Sequence, residues 1–111
     1  MEIIEWNDFE KVELLAGTIL EAEEFPEAKK PAYKLTIDLG PVIGIKKSSA
    51  QITKLYKPSD LIGKQVLCVV NFKSKKIASF TSEVLTTGFV LGNEVVLVIP
   101  DQKVPNGSKL A

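Results

Sequence analysis

Cys68 is the only cysteine in the sequence and histidine is absent, which closes the commonest routes to side-chain catalysis. No histidine base can activate a hydroxyl or a thiol, and a zinc ion would lack its usual nitrogen and sulfur ligands. Cys68 stands in Val66-Leu67-Cys68-Val69-Val70, an unbroken apolar run. That is the setting of a small core residue, whereas reactive thiols favour exposed electropositive positions. With one thiol no internal disulfide can form, which suits a reducing compartment. Glu83 is a lone acid among bases, with no visible partner for acid–base chemistry. The expectation is a protein with no catalytic residue, metal or cofactor, not an enzyme, that works by holding another macromolecule.

Lysine is the chemistry that remains. All fourteen basic residues are lysines and they balance fourteen acids. The balance conceals a division: residues 1–28 carry a net −8, residues 29–76 a net +9, and residues 77–111 a net −1. Such asymmetry can place an acidic and a basic face on one small body, although folding can also interleave the two sets. Lysine attracts phosphate as a point charge but lacks the planar fork that arginine uses for bidentate recognition.

The residues that could bind a chain are Tyr33, Lys34, Lys46 and Lys47, together with Lys73, Lys75 and Lys76 in the loop that follows the fourth strand. A ring beside ammonium groups can stack a base while lysines track phosphates. The same groove could take an extended peptide along exposed strand edges. Each has a plainer reading. Tyr33 shares an alternating apolar face, Ser48-Ser49 can cap a following helix, and Asn71 can satisfy backbone groups at a strand end. The loop lysines can be solvated, and Glu83 can orient a lysine.

The elements that must position these residues are mostly strands. Asn7 and Glu10 have capping-box spacing for a short amino-terminal helix. Gly17 fits a break or bend, and Thr18–Glu23 reads as the first strand. Tyr33, Leu35, Ile37 and Leu39 alternate with Lys34, Thr36 and Asp38, the period of a half-buried strand. Val42-Ile43-Gly44-Ile45 opens a third. Ile52, Leu55 and Tyr56 have i, i+3, i+4 spacing for a helix ahead of Pro58. Gln65–Phe72 reads as a central strand, and two more follow, from Glu83 to about Phe89 and from Glu94 to Ile99, separated by Gly92-Asn93. Of these six runs, five main strands with a helix between the third and fourth would give the order of the OB-fold, an all-β Greek-key barrel. Residues 1–111 fit one domain of this kind. No stretch is apolar for long enough to span a bilayer, and Met1-Glu2-Ile3-Ile4-Glu5 is acidic where a secretory signal is basic. A cytoplasmic protein without membrane insertion is expected.

Two stretches carry a resemblance. One runs from Phe25-Pro26-Glu27-Ala28 through Lys34-Leu35 to Gly44-Ile45-Lys46-Lys47-Ser48-Ser49-Ala50-Gln51-Ile52-Thr53. The other is Val69-Val70-Asn71-Phe72, Lys75-Lys76-Ile77-Ala78 and Ser82-Glu83-Val84-Leu85. Together they resemble the CsaA-type export chaperones of the tRNA-binding domain family, over nearly the whole chain. The resemblance implies an OB barrel with an added amino-terminal helix, assembled as a homodimer, whose partners are unfolded or pre-secretory proteins; relatives bind the outer corner of tRNA. Carried onto matching positions, it implies a ligand surface of Lys34, Lys46, Ser48, Ser49, Gln51, Asn71, Lys75, Lys76, Ser82 and Glu83. Lys75-Lys76 replaces a pair that is commonly arginine, and Ser79 sits where glycine is usual. Both depart from the family pattern.

Overall fold

A computed structural model describes all 111 residues. In chain order the elements are helix α1 (Trp6–Glu10), strands β1 (Leu14–Glu24) and β2 (Tyr33–Asp38), helical turn α2 (Gly40–Ile43), strand β3 (Ile45–Ala50) and helix α3 (Pro58–Leu61). Strand β4 (Gln65–Val69), the short hairpin β5 (Lys75–Ile77) and β6 (Phe80–Ser82), β7 (Leu85–Thr86), and the hairpin β8 (Gly88–Leu91) and β9 (Glu94–Leu97) complete the chain. The five-stranded sheet is antiparallel in the order β3-β2-β1-β4-β7.

The core-facing half of the alternation over β2 is realised in full. Tyr33, Leu35, Ile37 and Leu39 are all buried and join Ile19, Val66, Cys68, Leu61 and Leu97 in one core. Strand β1 is long enough to serve two neighbours. Its first half, from Leu14 to Thr18, pairs with β4, and its second half, from Thr18 to Glu24, pairs with β2. A register shift between Ile19 and Glu21 leaves Leu20 as an extra residue, a bulge that bends the strand and curls the sheet. Where β2 ends, the tail takes the free edge of β1, with Gly107 donating to the Ala16 carbonyl and Ala16 to Ser108.

The sheet closes into a barrel along a seam between β3 and residues 82–86. The N–H groups of Glu83 and Val84 both donate to the Lys47 carbonyl, at 2.8 and 3.3 Å. Side chains complete it: the Ser49 N–H donates to Ser82 Oγ at 2.9 Å and the Lys47 N–H to Glu83 Oε1 at 3.0 Å. Ser48 Oγ meets Thr86 Oγ1 at 2.8 Å inside. The result is a nearly closed five-stranded OB barrel with short helices, as the strand count predicted.

Several local expectations are corrected. Gly17 is not a break but lies inside β1, opposite Val66. A Cβ there would come within 2.7 Å of both Ile37 Cγ2 and Leu39 Cδ2, so glycine is needed for close approach of the strands. The amino-terminal helix is capped earlier than the Asn7/Glu10 spacing suggested, the Asp8 carboxylate accepting the Glu5 N–H at 3.0 Å. Val42-Ile43 belongs to a helical turn, and the third strand begins only at Ile45. The helix between the third and fourth strands follows Pro58 rather than preceding it. The residue before a proline is driven to extended backbone, and Lys57 is extended at φ −94°, ψ 155°. Pro58 then opens the helix, where its missing N–H costs nothing. Ser48 and Ser49 consequently lie in β3 and cap no helix.

Candidate ligand-binding surface

Two grooves flank the β5–β6 hairpin. The larger, of about 960 Å³, runs between the end of β3, the hairpin, the seam and the β8–β9 hairpin. Its lining includes Lys30, Lys54, Lys73 and Lys75, with Phe72, Ile77 and Val90 as apolar wall. The smaller, of about 360 Å³, lies over the outer face of β1, β2 and β3, and contains Glu23, Lys34, Thr36, Lys47, Phe80 and Glu83. The hairpin is their common wall. Lys75 and Ile77 face the larger groove, while Thr81, the register partner of Lys76, lines the smaller. Phe80 packs edge-on against Phe25 with ring centroids 5.4 Å apart.

The predicted site residues divide accordingly. Ser49, Gln51, Lys73, Lys75, Ser82 and Glu83 line the larger groove. Lys34 and Lys47 line the smaller, and Glu83 touches both. Lys46 lies beside this rim, its Nζ 3.7 Å from Glu83 Oε2. Lys76 is exposed on the hairpin's other side. Three residues are taken up by the fold itself. Tyr33 is buried, and its hydroxyl donates to the Tyr56 carbonyl at 2.7 Å, so its ring is not presented for stacking. Burial and the nearby acids Glu24 and Asp60 push its phenol above the ordinary tyrosine value. Ser48 is fully buried inside the seam. Asn71 accepts the Glu13 N–H at 3.0 Å and donates to the Lys11 carbonyl at 2.7 Å, which ties the amino-terminal segment to the end of β4.

The lysines of the middle third are partly interleaved with acids and partly uncovered. Lys34 pairs with Glu23 at 4.0 Å, the residue opposite it on β1, and lies 5.5 Å from the Phe25 ring centre. Lys47 Nζ donates to Thr36 Oγ1 at 2.9 Å and covers that buried threonine. No ion pair forms at Lys30, Lys54, Lys73 or Lys75. Phe72 and Val90, beside them, are 56% and 72% exposed. Sequence reasoning missed Lys30, Lys54, Phe80 and Thr36 as lining residues. The lone signal for them was the basic segment itself, since their approach depends on the hairpin's position.

The geometry is that of an open, apolar-walled trough with unpaired positive charge along its rim, able to hold a chain and lacking the clustered groups of a metal site. The sequence profile described as a putative tRNA binding domain matches residues 14–109. The chain belongs to this tRNA-binding domain family. Among solved structures, it is similar to the chaperone CsaA from Bacillus anthracis str. Ames, at 49% identity and a TM-score of 0.93, over 99% of this chain and 100% of that one. It is equally similar to the CsaA chaperone protein from Picrophilus torridus, at 50% identity and a TM-score of 0.91, over 98% and 100%. Among curated proteins, the methionine–tRNA ligase of Pyrococcus horikoshii is 34% identical over 99% of this chain. This tRNA-binding domain spans only 15% of that ligase's length.

Proposed function

We propose that this protein is a non-catalytic, CsaA-like chaperone, residues 1–111 forming one OB-fold unit that holds unfolded or export-bound polypeptides in the cytoplasm. The observation that carries the reading is the larger groove. Phe72 and Val90 offer apolar contact where Lys30, Lys54, Lys73 and Lys75 offer charge, the mixture an extended chain with alternating side chains requires. Its volume of about 960 Å³ admits several residues. Similarity to two CsaA chaperones over the whole chain supports the same reading.

A homodimer belongs to this proposal. Ile3, Ile4 and Trp6 of the amino-terminal arm are 60–83% exposed. Phe89 and Leu91 on the β8–β9 hairpin are 63% and 57% exposed. Uncovered apolar surface of this kind marks an interface, and a second copy would cover it. Two grooves on one dimer would then give avidity for long clients.

The family and the ligase relatives favour a second reading, a structure-specific tRNA-binding protein. Titrating an unfolded protein and total tRNA at two ionic strengths separates the two. Phosphate contacts release counterions, so tRNA binding falls steeply with salt, whereas polypeptide binding responds weakly. Tight tRNA binding with unfolded chains ignored would sink the chaperone reading. Sedimentation of the wild type and of Ile4→Asp tests the dimer, the variant being expected to sediment as a monomer.

A further inference from the structure

Glu83 stands at the one place that borders both grooves, and it is the single acid lining the larger of them. Its Oε1 accepts the Lys47 backbone N–H at 3.0 Å, and its Oε2 lies 3.7 Å from Lys46 Nζ. A backbone N–H beside an ammonium group is the pair of donors that would hold a phosphate oxygen. Here a carboxylate of the protein already occupies them, with its side chain 35% exposed toward any bound chain.

The seam does not require that charge. Two residues along β3, the Ser49 N–H is satisfied by the neutral hydroxyl of Ser82 at 2.9 Å. A neutral acceptor would therefore close the barrel at Lys47 as well. What the carboxylate adds is a fixed negative charge between the two grooves. It repels a phosphate backbone and offers an acceptor to the N–H groups of a polypeptide.

We infer that Glu83 is a specificity-determining residue, a built-in anion that disfavours polyanionic chains at this surface and leaves polypeptides unhindered. The inference rests on the reading that this surface holds a chain. Glu83→Gln keeps the acceptor for the Lys47 N–H and removes the charge. Its affinity for total tRNA should rise about fourfold, the factor given by one unit charge about 5 Å from a phosphate in water. The salt dependence should steepen, and affinity for a reduced, unfolded protein should not rise with it. Lys46→Gln leaves the Glu83 charge uncompensated, so it should weaken tRNA binding by a similar factor in the wild type, and by more in the Glu83→Gln background, where the freed ammonium can meet a phosphate directly.

Unchanged tRNA affinity in Glu83→Gln, or equal tightening of both ligands, overturns the gate while the chain-holding reading stands. Binding of neither ligand by wild type or variant overturns both. Should Glu83→Gln melt too low to assay, Lys46→Gln alone decides: a loss of tRNA affinity of about twofold or more, with a smaller loss for the unfolded protein, supports the gate, and any lesser or equal loss refutes it.

Discussion

The hydroxyl of Tyr33 donates to the Tyr56 carbonyl at 2.7 Å, and the phenol of Tyr56 accepts the N–H of Leu97 at 3.1 Å. Two rings thus fasten β2 to the loop ahead of α3 and to β9. Removing the first hydroxyl leaves a partly buried carbonyl without its donor. Tyr33→Phe should lower stability by about 1 to 2 kcal/mol, read from the denaturation midpoint, with ligand affinity unchanged at temperatures where the variant is folded. A loss of binding without loss of stability would return the ring to the site.

Alternation along β5 separates two adjacent lysines. Lys75 faces the larger groove, and Lys76 lies on the opposite side. Lys75→Ala should weaken binding of tRNA or unfolded polypeptide by a factor of about five, on the order of 1 kcal/mol. Lys76→Ala should cost less if the larger groove holds the ligand. Equal losses, measured by fluorescence anisotropy, would assign binding to the whole hairpin surface.

Ala78, in the two-residue turn between the paired Ile77 and Phe80, has φ +52°. A Cβ makes this left-handed conformation costly, and tight hairpin turns favour glycine there. Ala78→Gly should raise stability by about 0.5 to 1 kcal/mol, seen as an upward shift of the melting midpoint. An unchanged or lower midpoint would show that the turn relaxes around alanine.

Cys68 is fully buried beside Val66 and Val69. Burial pushes its thiol up to about 11, with the Thr86 hydroxyl pulling weakly the other way. Because the folded state disfavours the thiolate, this contribution is intact below the unfolded thiol's value and is lost as pH rises through the folded one. Wild type should lose on the order of 2 kcal/mol relative to Cys68→Ala between about pH 9 and pH 11. Parallel pH profiles for the two proteins would contradict this. Alkylation of the native thiol at neutral pH should be slow and should accelerate only on unfolding.

The barrel was legible where one periodic face sufficed. The alternation from Tyr33 to Leu39 states its own buried side, and the apolar run around Cys68 states a central strand. What failed were features decided by a distant partner. Gly17 looks like punctuation until Ile37 and Leu39 come to lie 2.7 Å from its missing Cβ. Ser48 looks like a cap until Thr86 meets it across the seam. The spacing of Ile52, Leu55 and Tyr56 suggested a helix, but Pro58 forbids one from running up to it.

The surface followed the same division. A basic middle third was plain from composition, but which lysines remain uncovered depends on register. Lys34 is opposite Glu23 because β1 and β2 are aligned so, and Lys46 meets Glu83 only when the barrel closes. The β5–β6 hairpin left almost no trace in the sequence. Its strands are three residues each, too short for a period to declare itself, so Lys73-Ser74-Lys75-Lys76 reads as a plain loop.

That hairpin contributes none of the thirteen residues of the central core. It is fastened mainly by one aromatic edge contact, Phe80 on Phe25, and by the Ser82 and Glu83 bonds at its root. On the proposed reading, substitutions between its anchors would alter what the molecule grips while the scaffold keeps its foldability. Selection could then retune recognition over these few positions as a nearly independent cassette, and a protein engineer could do the same by grafting.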